Sequence, residues 1–179
     1  YVLDEPWISD NDRLEALVGK GIALQEAGDP AGAEVTFAKA LRFYRELTKP
    51  GRFNDHGLAA EAAFRMGEIA HERFDAVILA FPQEVLVERP EKKCELLLSA
   101  QSRYLRAIRY GDAHTVAAAG WKIGSLYESL YDMIIALEAP PELTEEQVEI
   151  YKEEVRKRVQ ILVKKALICL LYTSPSPRD

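Results

Sequence analysis

The stretch LVGKGIALQEAGDPAGAEVTFAKA, residues 17–40, decides the fold of this chain. Its first half carries apolar residues at helical steps and closes on Gly28, a residue typical of a helix end. Asp29 and Pro30 follow as an N-cap and a proline at the first helical position, so they open a second helix. The stretch therefore predicts two helices joined by a tight turn, which is a helical hairpin.

Similar start and stop signals divide the rest of the chain into further helices. The predicted N-caps are Ser9 or Asp10, Asn54 or Asp55, Asp112, and Thr144 in a capping box with Gln147. No stretch shows the alternation of period two that a half-buried strand requires, so the predicted fold class is all-α. The predicted helices cover residues 11–27, 30–48, 57–80, 91–110, 113–138 and 145–168.

Three of these helices carry a glycine at the same place in a hairpin: Gly21, Gly67 and Gly124. The second helix of each hairpin carries three residues at steps of four and three. These residues are Ala33, Phe37 and Ala40, then Ala100, Tyr104 and Ala107, and last Val159, Val163 and Ala166. The pattern resembles the tetratricopeptide (TPR) repeat, from which Lys20 and Val159 depart because the family carries an apolar residue and an alanine there.

The resemblance implies antiparallel hairpins at about 11–48, 57–110 and 113–168, stacked as a TPR-like right-handed α-solenoid. The second and third hairpins are elongated relative to the family's unit of about 34 residues. A glycine inside a helix costs about 1 kcal/mol relative to alanine, so three equivalent glycines are not expected by chance. We expect the glycines and alanines to let the two helix axes approach closely while the large residues interlock.

The two ends of the chain are predicted to lie outside this repeat domain of residues 11–168. Residues 1–10 form an incomplete lead-in, and residues 169–179, CLLYTSPSPRD, resemble the translated end of a sequencing-library adapter. We therefore expect a fragment from an environmental (metagenomic) read, although a native Ser/Pro-rich linker is the alternative for the tail. The elongated hairpins resemble those of large bacterial TPR proteins, some of them tied to the cell envelope and motility. The expected location is cytoplasmic, or periplasmic and envelope-associated.

Composition excludes several classes of partner. The 179 residues carry a net charge of −6 and have a pI near 5.2, whereas nucleic acid and anionic membranes call for basic surfaces. No apolar run reaches the roughly 20 residues that cross a bilayer, so we expect neither nucleic-acid binding nor direct membrane insertion. The two cysteines are far apart and predict no disulfide framework.

The candidate catalytic groups do not form a recognisable motif. His71 is followed by Glu72 but not by a second histidine four residues later, so the zinc-protease helix motif is absent. Cys94 near a helix start is placed for a lowered pKa. An enzyme would need a polar pocket that gathers His71, Asp75 and Cys94. We expect no enzyme, and no cofactor or metal ion.

The resemblance places a ligand surface on the concave face, which the first helices of the hairpins line. Trp121 and Phe64 are the strongest anchors there, because large aromatic residues dominate recognition energy. The alternative is that Trp121 only packs against a neighbouring helix. The predicted concave-face residues are Val18, Ile22, Gln25, Phe64, Glu68, His71, Trp121, Ser125 and Glu128.

The predicted function is a protein–protein interaction scaffold that binds a protein or peptide segment or assembles a larger complex. One alternative is a structural spacer within a large bacterial envelope or motility protein. Another is a helical regulatory region of an enzyme that lies outside this fragment. Arg103, Arg106 and Arg109 recur every three residues and predict a solvated basic stripe, with an acidic partner segment as the alternative.

Overall fold

A computed structural model of the chain describes residues 8–48, 56–77, 88–136, 139, 142–154 and 157. The described residues form α-helices and no strand, which confirms the all-α prediction. In chain order the helices are α1 (Asp10–Glu26), α2 (Pro30–Thr48), α3 (Gly57–Asp75), α4 (Glu88–Ile108) and α5 (Ala113–Ile135). A further helical stretch over residues 145–154 is called α6.

The predicted N-caps at Asp29 and Asp112 are confirmed by side-chain hydrogen bonds. Asp29 Oδ1 accepts the backbone N–H of Gly32 at 2.9 Å, and Asp112 Oδ1 accepts that of Thr115 at 2.8 Å. Ser9 caps α1 in the same way at 3.1 Å. Each oxygen satisfies a backbone donor that has no partner within its own helix, so these starts are fixed locally.

Two glycines and one capping box also occur where the sequence predicts them. Gly28 and Gly111 have φ of 81° and 78°, in the left-handed region that a residue with a Cβ rarely adopts. Thr144 N–H donates to Gln147 Oε1 at 2.9 Å, and Gln147 N–H donates to Thr144 Oγ1 at 3.4 Å. These contacts set the hairpin turn after α1, the turn after α4 and the start of α6.

The third helix is shorter than predicted. It ends at Asp75 rather than near residue 80, and a lysine from another helix gives the reason. Lys93 of α4 is fully buried, and its Nζ donates to the carbonyls of Phe74 and, at 2.7 Å, Val77. A cation bonded to the last carbonyls of a helix stabilises that end and occupies acceptors that a further turn would use.

Further differences from the predicted boundaries concern α3 and α4. The N-cap of α3 is His56, without a side-chain capping bond, and the predicted caps Asn54 and Asp55 lie outside the described residues. The fourth helix begins at Glu88 rather than 91, because Pro90 is tolerated in a first helical turn. Residues 1–7 of the predicted lead-in, the tail 169–179, and residues 155–168 of the predicted sixth helix, apart from 157, also lie outside the described residues.

The helices α1 to α5 each pack mainly on their neighbours in the chain. The pairs in contact are α1 with α2, α2 with α3, α3 with α4, and α4 with α5, and α3 also contacts α1 and α5. One core cluster is built mostly from α1, α2 and α3, and a second from α3, α4 and α5. Phe64 of α3 packs against both clusters, so α3 links the two halves of the core.

The recurring glycines have a physical counterpart in the first two hairpins. A Cβ built on Gly21 would lie 2.6 Å from Phe37 Cδ1, and one built on Gly67 would lie 2.6 Å from Tyr104 Cε1. The predicted close approach is therefore confirmed there. Around Gly124 no described atom lies within 4 Å of such a Cβ. The predicted partner residues of that third glycine, Val159, Val163 and Ala166, lie outside the described residues.

Candidate functional site

Several of the predicted concave-face residues are part of the packed interior. Val18 is only 2 % exposed, so it lies in the core rather than on an open surface, which corrects its assignment. Phe64 is half-buried, with its ring centroid 5.6 Å from that of Tyr104. Ile22 packs against the first core cluster, and no described group donates to the buried Oε1 of Gln25. Because α1 and α3 each pack on more than one helix, these positions are largely covered.

Glu68 connects α3 to α5 through an ion pair. Its Oε1 lies 3.2 Å from Lys122 Nζ, and its Oε2 lies 3.4 Å from Arg65 Nη1. Arg65 also binds Glu61 Oε1 at 2.7 Å. The sequence pattern singles out Glu68 but neither of its partners, because a repeat register selects positions and not the charges that meet between helices. The charge of Glu68 is therefore compensated within the chain.

His71 is held between α3 and α4 rather than presented to solvent. Its side chain is 11 % exposed, and its Nδ1 lies 3.2 Å from the hydroxyl of the buried Tyr104. Burial lowers the pKa of His71 despite the attraction of Asp75, whose Oδ2 lies 3.7 Å from Nε2. Burial likewise raises the pKa of Tyr104, so the phenol stays protonated where it shares a hydrogen bond with the imidazole.

The groups that an enzyme would need are not arranged as a reactive thiol site. Burial raises the pKa of Cys94, whereas a nucleophilic cysteine needs a lowered pKa. The side chain of Asp75 is 57 % exposed and approaches His71 on the same helix. Within the described residues, no group of three or more His, Cys, Asp or Glu side chains could hold a metal ion.

The remaining predicted residues lie on α5, and two of them are exposed. Trp121 is 69 % exposed, with Lys122 Nζ 5.9 Å from the centroid of its ring. Glu128 is also exposed, whereas Ser125 is half-buried and its hydroxyl donates to the carbonyl of Lys122 at 3.0 Å. The alternative in which Trp121 packs against a neighbouring helix does not hold for the described residues.

Trp121 belongs to a larger exposed surface of α5. Two further large apolar side chains, Tyr131 and Ile135, are 51 % and 48 % exposed. These three apolar residues and the exposed glycines and acidic residues between them are spaced three or four residues apart. They therefore lie on one side of the helix. We call this surface the α5 open face, and its residues are Ala117, Gly120, Trp121, Gly124, Glu128, Tyr131, Asp132 and Ile135. Their spacing was visible in the sequence, but their lack of burial was not.

A charge cluster that the sequence did not predict joins three helices. Glu34 of α2 binds Arg73 of α3 through Oε2 and lies 2.6 Å from Arg103 Nη1 of α4 through Oε1. Partial burial alone would raise the pKa of Glu34, but the hydrogen bond from Arg73 and the charges of both arginines outweigh it and lower the pKa. Arg103 is therefore not part of a solvated stripe, while Arg106 and Arg109 are exposed as predicted.

None of the described helices combines the length and the apolar character that a membrane crossing requires.

Comparison with known proteins does not assign the chain to a family. No protein-family model matches the chain, and neither a curated protein nor a solved structure is significantly similar to it.

Proposed function

We propose that this chain is part of a TPR-like α-solenoid that acts as a protein–protein interaction scaffold. Packing that is confined mainly to successive helices, with added contacts between first helices, is typical of repeat proteins. The two glycines with an aromatic ring seated over them support the same assignment, because they occupy equivalent places in α1 and α3.

The exposure of Trp121 is the observation that carries a binding role. Tryptophan removes a large apolar area from water when it is buried, so a tryptophan that is 69 % exposed in the middle of a helix is unfavourable without a partner. Together with Tyr131 and Ile135 it forms the kind of aromatic and aliphatic surface from which interface anchors are drawn. The bound species would be a protein or peptide segment.

Site-specific photo-cross-linking tests this proposal. A benzophenone amino acid is placed at Trp121 and, as the matched control, at Val35, an apolar residue of α2 that is 57 % exposed. We expect one partner protein to be captured from position 121 and not from position 35. With the purified partner, Trp121→Ala should weaken binding about 30-fold or more, the loss of an interface anchor worth about 2 kcal/mol.

The same experiment separates the rival functions. A structural spacer would give equal, non-specific capture at both positions, and that result would reject the scaffold role. A regulatory region of an enzyme would capture a catalytic domain, and the purified domain would then change its rate when this chain is added. The raised pKa of Cys94 argues against a reactive thiol, and we propose no catalytic function for the chain itself.

A further inference from the structure

The helices α2 and α4 run side by side, with their carboxyl-terminal ends together. Toward the start of α2, Glu34 Oε1 lies 2.6 Å from Arg103 Nη1 of α4. Further along both, the rings of Tyr44 and Tyr110 pack edge to face, with their centroids 5.6 Å apart. Because the two contacts follow in the same order along each helix, the helices are parallel. The residues beside the two tyrosines are therefore brought to one place.

Four exposed arginines lie within four residues of one or other of these tyrosines. Among the described residues no ion pair joins any of the four to a carboxylate, whereas Arg65, Arg73 and Arg103 each bind one. The fold thus neutralises these other arginines and presents the four to solvent. We call them the arginine cluster, and its members are Arg42, Arg45, Arg106 and Arg109.

Stabilisation of helix ends accounts for only part of the arginine cluster. A cation in the last turn of a helix stabilises the partial negative charge of its free carbonyls. Arg45 fits this role, because its Nε donates to the carbonyl of Leu41 at 3.3 Å. Arg42 lies outside the last turn, six residues before Thr48 (48 − 42 = 6). The exposed Glu46 offsets one charge, so the cluster keeps a net charge of +3 (4 − 1).

The stretches of the chain outside the described residues carry too few acidic residues to neutralise the arginine cluster. The largest number in any one stretch is two, Asp4 and Glu5. Residues 155–168 carry five basic residues and no acidic one. The glutamates of α6 have lysine partners nearby, such as Lys152, whose Nζ lies 3.8 Å from Glu149 Oε1. The complementary anion is therefore expected from another molecule.

The chemistry of the arginine cluster favours carboxylates on a short segment. A guanidinium group binds a carboxylate through two parallel hydrogen bonds, which a lysine cannot form. The chain as a whole carries a net charge of −6, which repels an extended polyanion such as nucleic acid or an anionic membrane. Screening over about 8 Å at physiological salt confines a short segment to the charges that it touches.

We propose that the arginine cluster binds an acidic segment of a partner protein. Aspartate or glutamate side chains of that segment pair with the four guanidinium groups. The inference goes beyond the binding role proposed for Trp121 on the α5 open face, because it assigns a second surface on other helices and the chemistry of its ligand.

Peptide binding to the full chain tests the inference. The probe is a fluorescein-labelled peptide of alternating glutamate and serine, and the control peptide has glutamine in place of every glutamate. Fluorescence anisotropy should show the acidic peptide binding at least about tenfold more tightly than the control, with an advantage that declines as added salt screens the charges. Equal binding of the two peptides would overturn the inference.

Variants of equal net charge locate the acidic peptide. Arg42→Gln with Arg106→Gln removes two members of the arginine cluster and should weaken binding by about tenfold or more. Lys20→Gln with Lys92→Gln removes the same charge from exposed positions elsewhere and should change binding by less than about twofold. Arg42→Lys with Arg106→Lys keeps the charge but not the paired hydrogen bonds, so its loss should be intermediate. Equal losses in the two glutamine variants would show that net charge, and not the cluster, attracts the peptide.

Other ligands are tested with the same variants. Single-stranded DNA or phosphatidylserine vesicles that bind more tightly than the acidic peptide, and lose binding in Arg42→Gln with Arg106→Gln, would overturn the inference. Sedimentation of the free chain covers a second copy, because an oligomer that this double variant dissociates would show that glutamates of another copy occupy the cluster. That result would overturn the inference too.

The inference and the scaffold function fail separately. Capture of a partner from position 121 does not depend on the arginine cluster. If that capture succeeds while the two peptides bind equally, the inference is wrong and the scaffold function stands. If the acidic peptide binds the cluster while position 121 captures nothing specific, the inference stands and the role proposed for Trp121 is wrong.

Discussion

A pair of glycine substitutions in α1 tests the close packing on which this fold depends. Gly19 and Gly21 lie two residues apart within one helix, so they face different surroundings. Around Gly19 no described atom lies within 4 Å of an added Cβ, whereas around Gly21 that Cβ would lie 2.6 Å from Phe37 Cδ1. Gly19→Ala and Gly21→Ala therefore make the same chemical change with opposite expected effects on stability.

The magnitudes follow from helix propensity and overpacking. Alanine in an exposed helix interior is about 1 kcal/mol more favourable than glycine, so Gly19→Ala should raise the free energy of unfolding by about that amount. Gly21→Ala has the same gain, but carbon atoms normally stay about 3.5–4 Å apart, and the Phe37 ring is fully buried. Overpacking costs about 1–3 kcal/mol, and the helix-propensity gain is the same in both variants. The free energy of unfolding of Gly21→Ala should therefore be lower than that of Gly19→Ala by the overpacking cost.

Urea unfolding followed by far-UV circular dichroism measures both values, and an unchanged slope with denaturant would show that the unfolded states are comparable. Phe37→Leu provides the control for the contact itself: it should be less damaging in the Gly21→Ala background than alone, because leucine relieves the overlap. If Gly21→Ala were as stable as Gly19→Ala, the ring would not be confined over the glycine, and the packing argument would be wrong.

Three further predictions concern charged and titratable groups. Lys93→Met should destabilise the fold by about 1–3 kcal/mol in urea, because it removes the buried lysine donor from the carbonyls of Phe74 and Val77, while Lys92→Met at an exposed position should change little. Burial keeps the pKa of folded His71 below 6.5, so the folded chain binds fewer protons there than the unfolded chain. The stabilisation that neutral, buried His71 contributes is present above pH 6.5 and is lost as the pH falls toward the folded pKa. His71→Gln should therefore weaken the dependence of the urea unfolding midpoint on pH, and an unaltered dependence would contradict the burial of a neutral imidazole at this position. The pKa of Glu34 is lowered, so its contribution is present above pH 4.5 and is lost in acid; Glu34→Gln should be less stable at neutral pH, with a stability difference that shrinks below pH 4.5.

The hairpin turns and helix starts depended on local sequence. These signals act through contacts within a few residues, so their geometry could be predicted from the sequence. They are the N-cap Asp29 with Pro30, the helix-ending Gly28, and the capping box of Thr144 with Gln147. The glycine pattern was equally informative for the first two hairpins, because the absence of a Cβ on Gly21 and Gly67 leaves the space that an aromatic ring occupies. For the third hairpin the prediction stays a prediction, because Val159, Val163 and Ala166, the predicted partners of Gly124, lie outside the described residues.

The end of α3, the burial of Val18 and the exposure of Trp121 were decided by tertiary structure. Propensity favours a longer α3, but Lys93 arrives from α4 and bonds its last carbonyls. Periodicity identifies the faces of a helix, yet one residue turns the direction of a side chain by about 100°. Which face meets a neighbour depends on how the helices stack, and so the sequence supplied Trp121 as a candidate anchor while only the packed fold left it open to solvent.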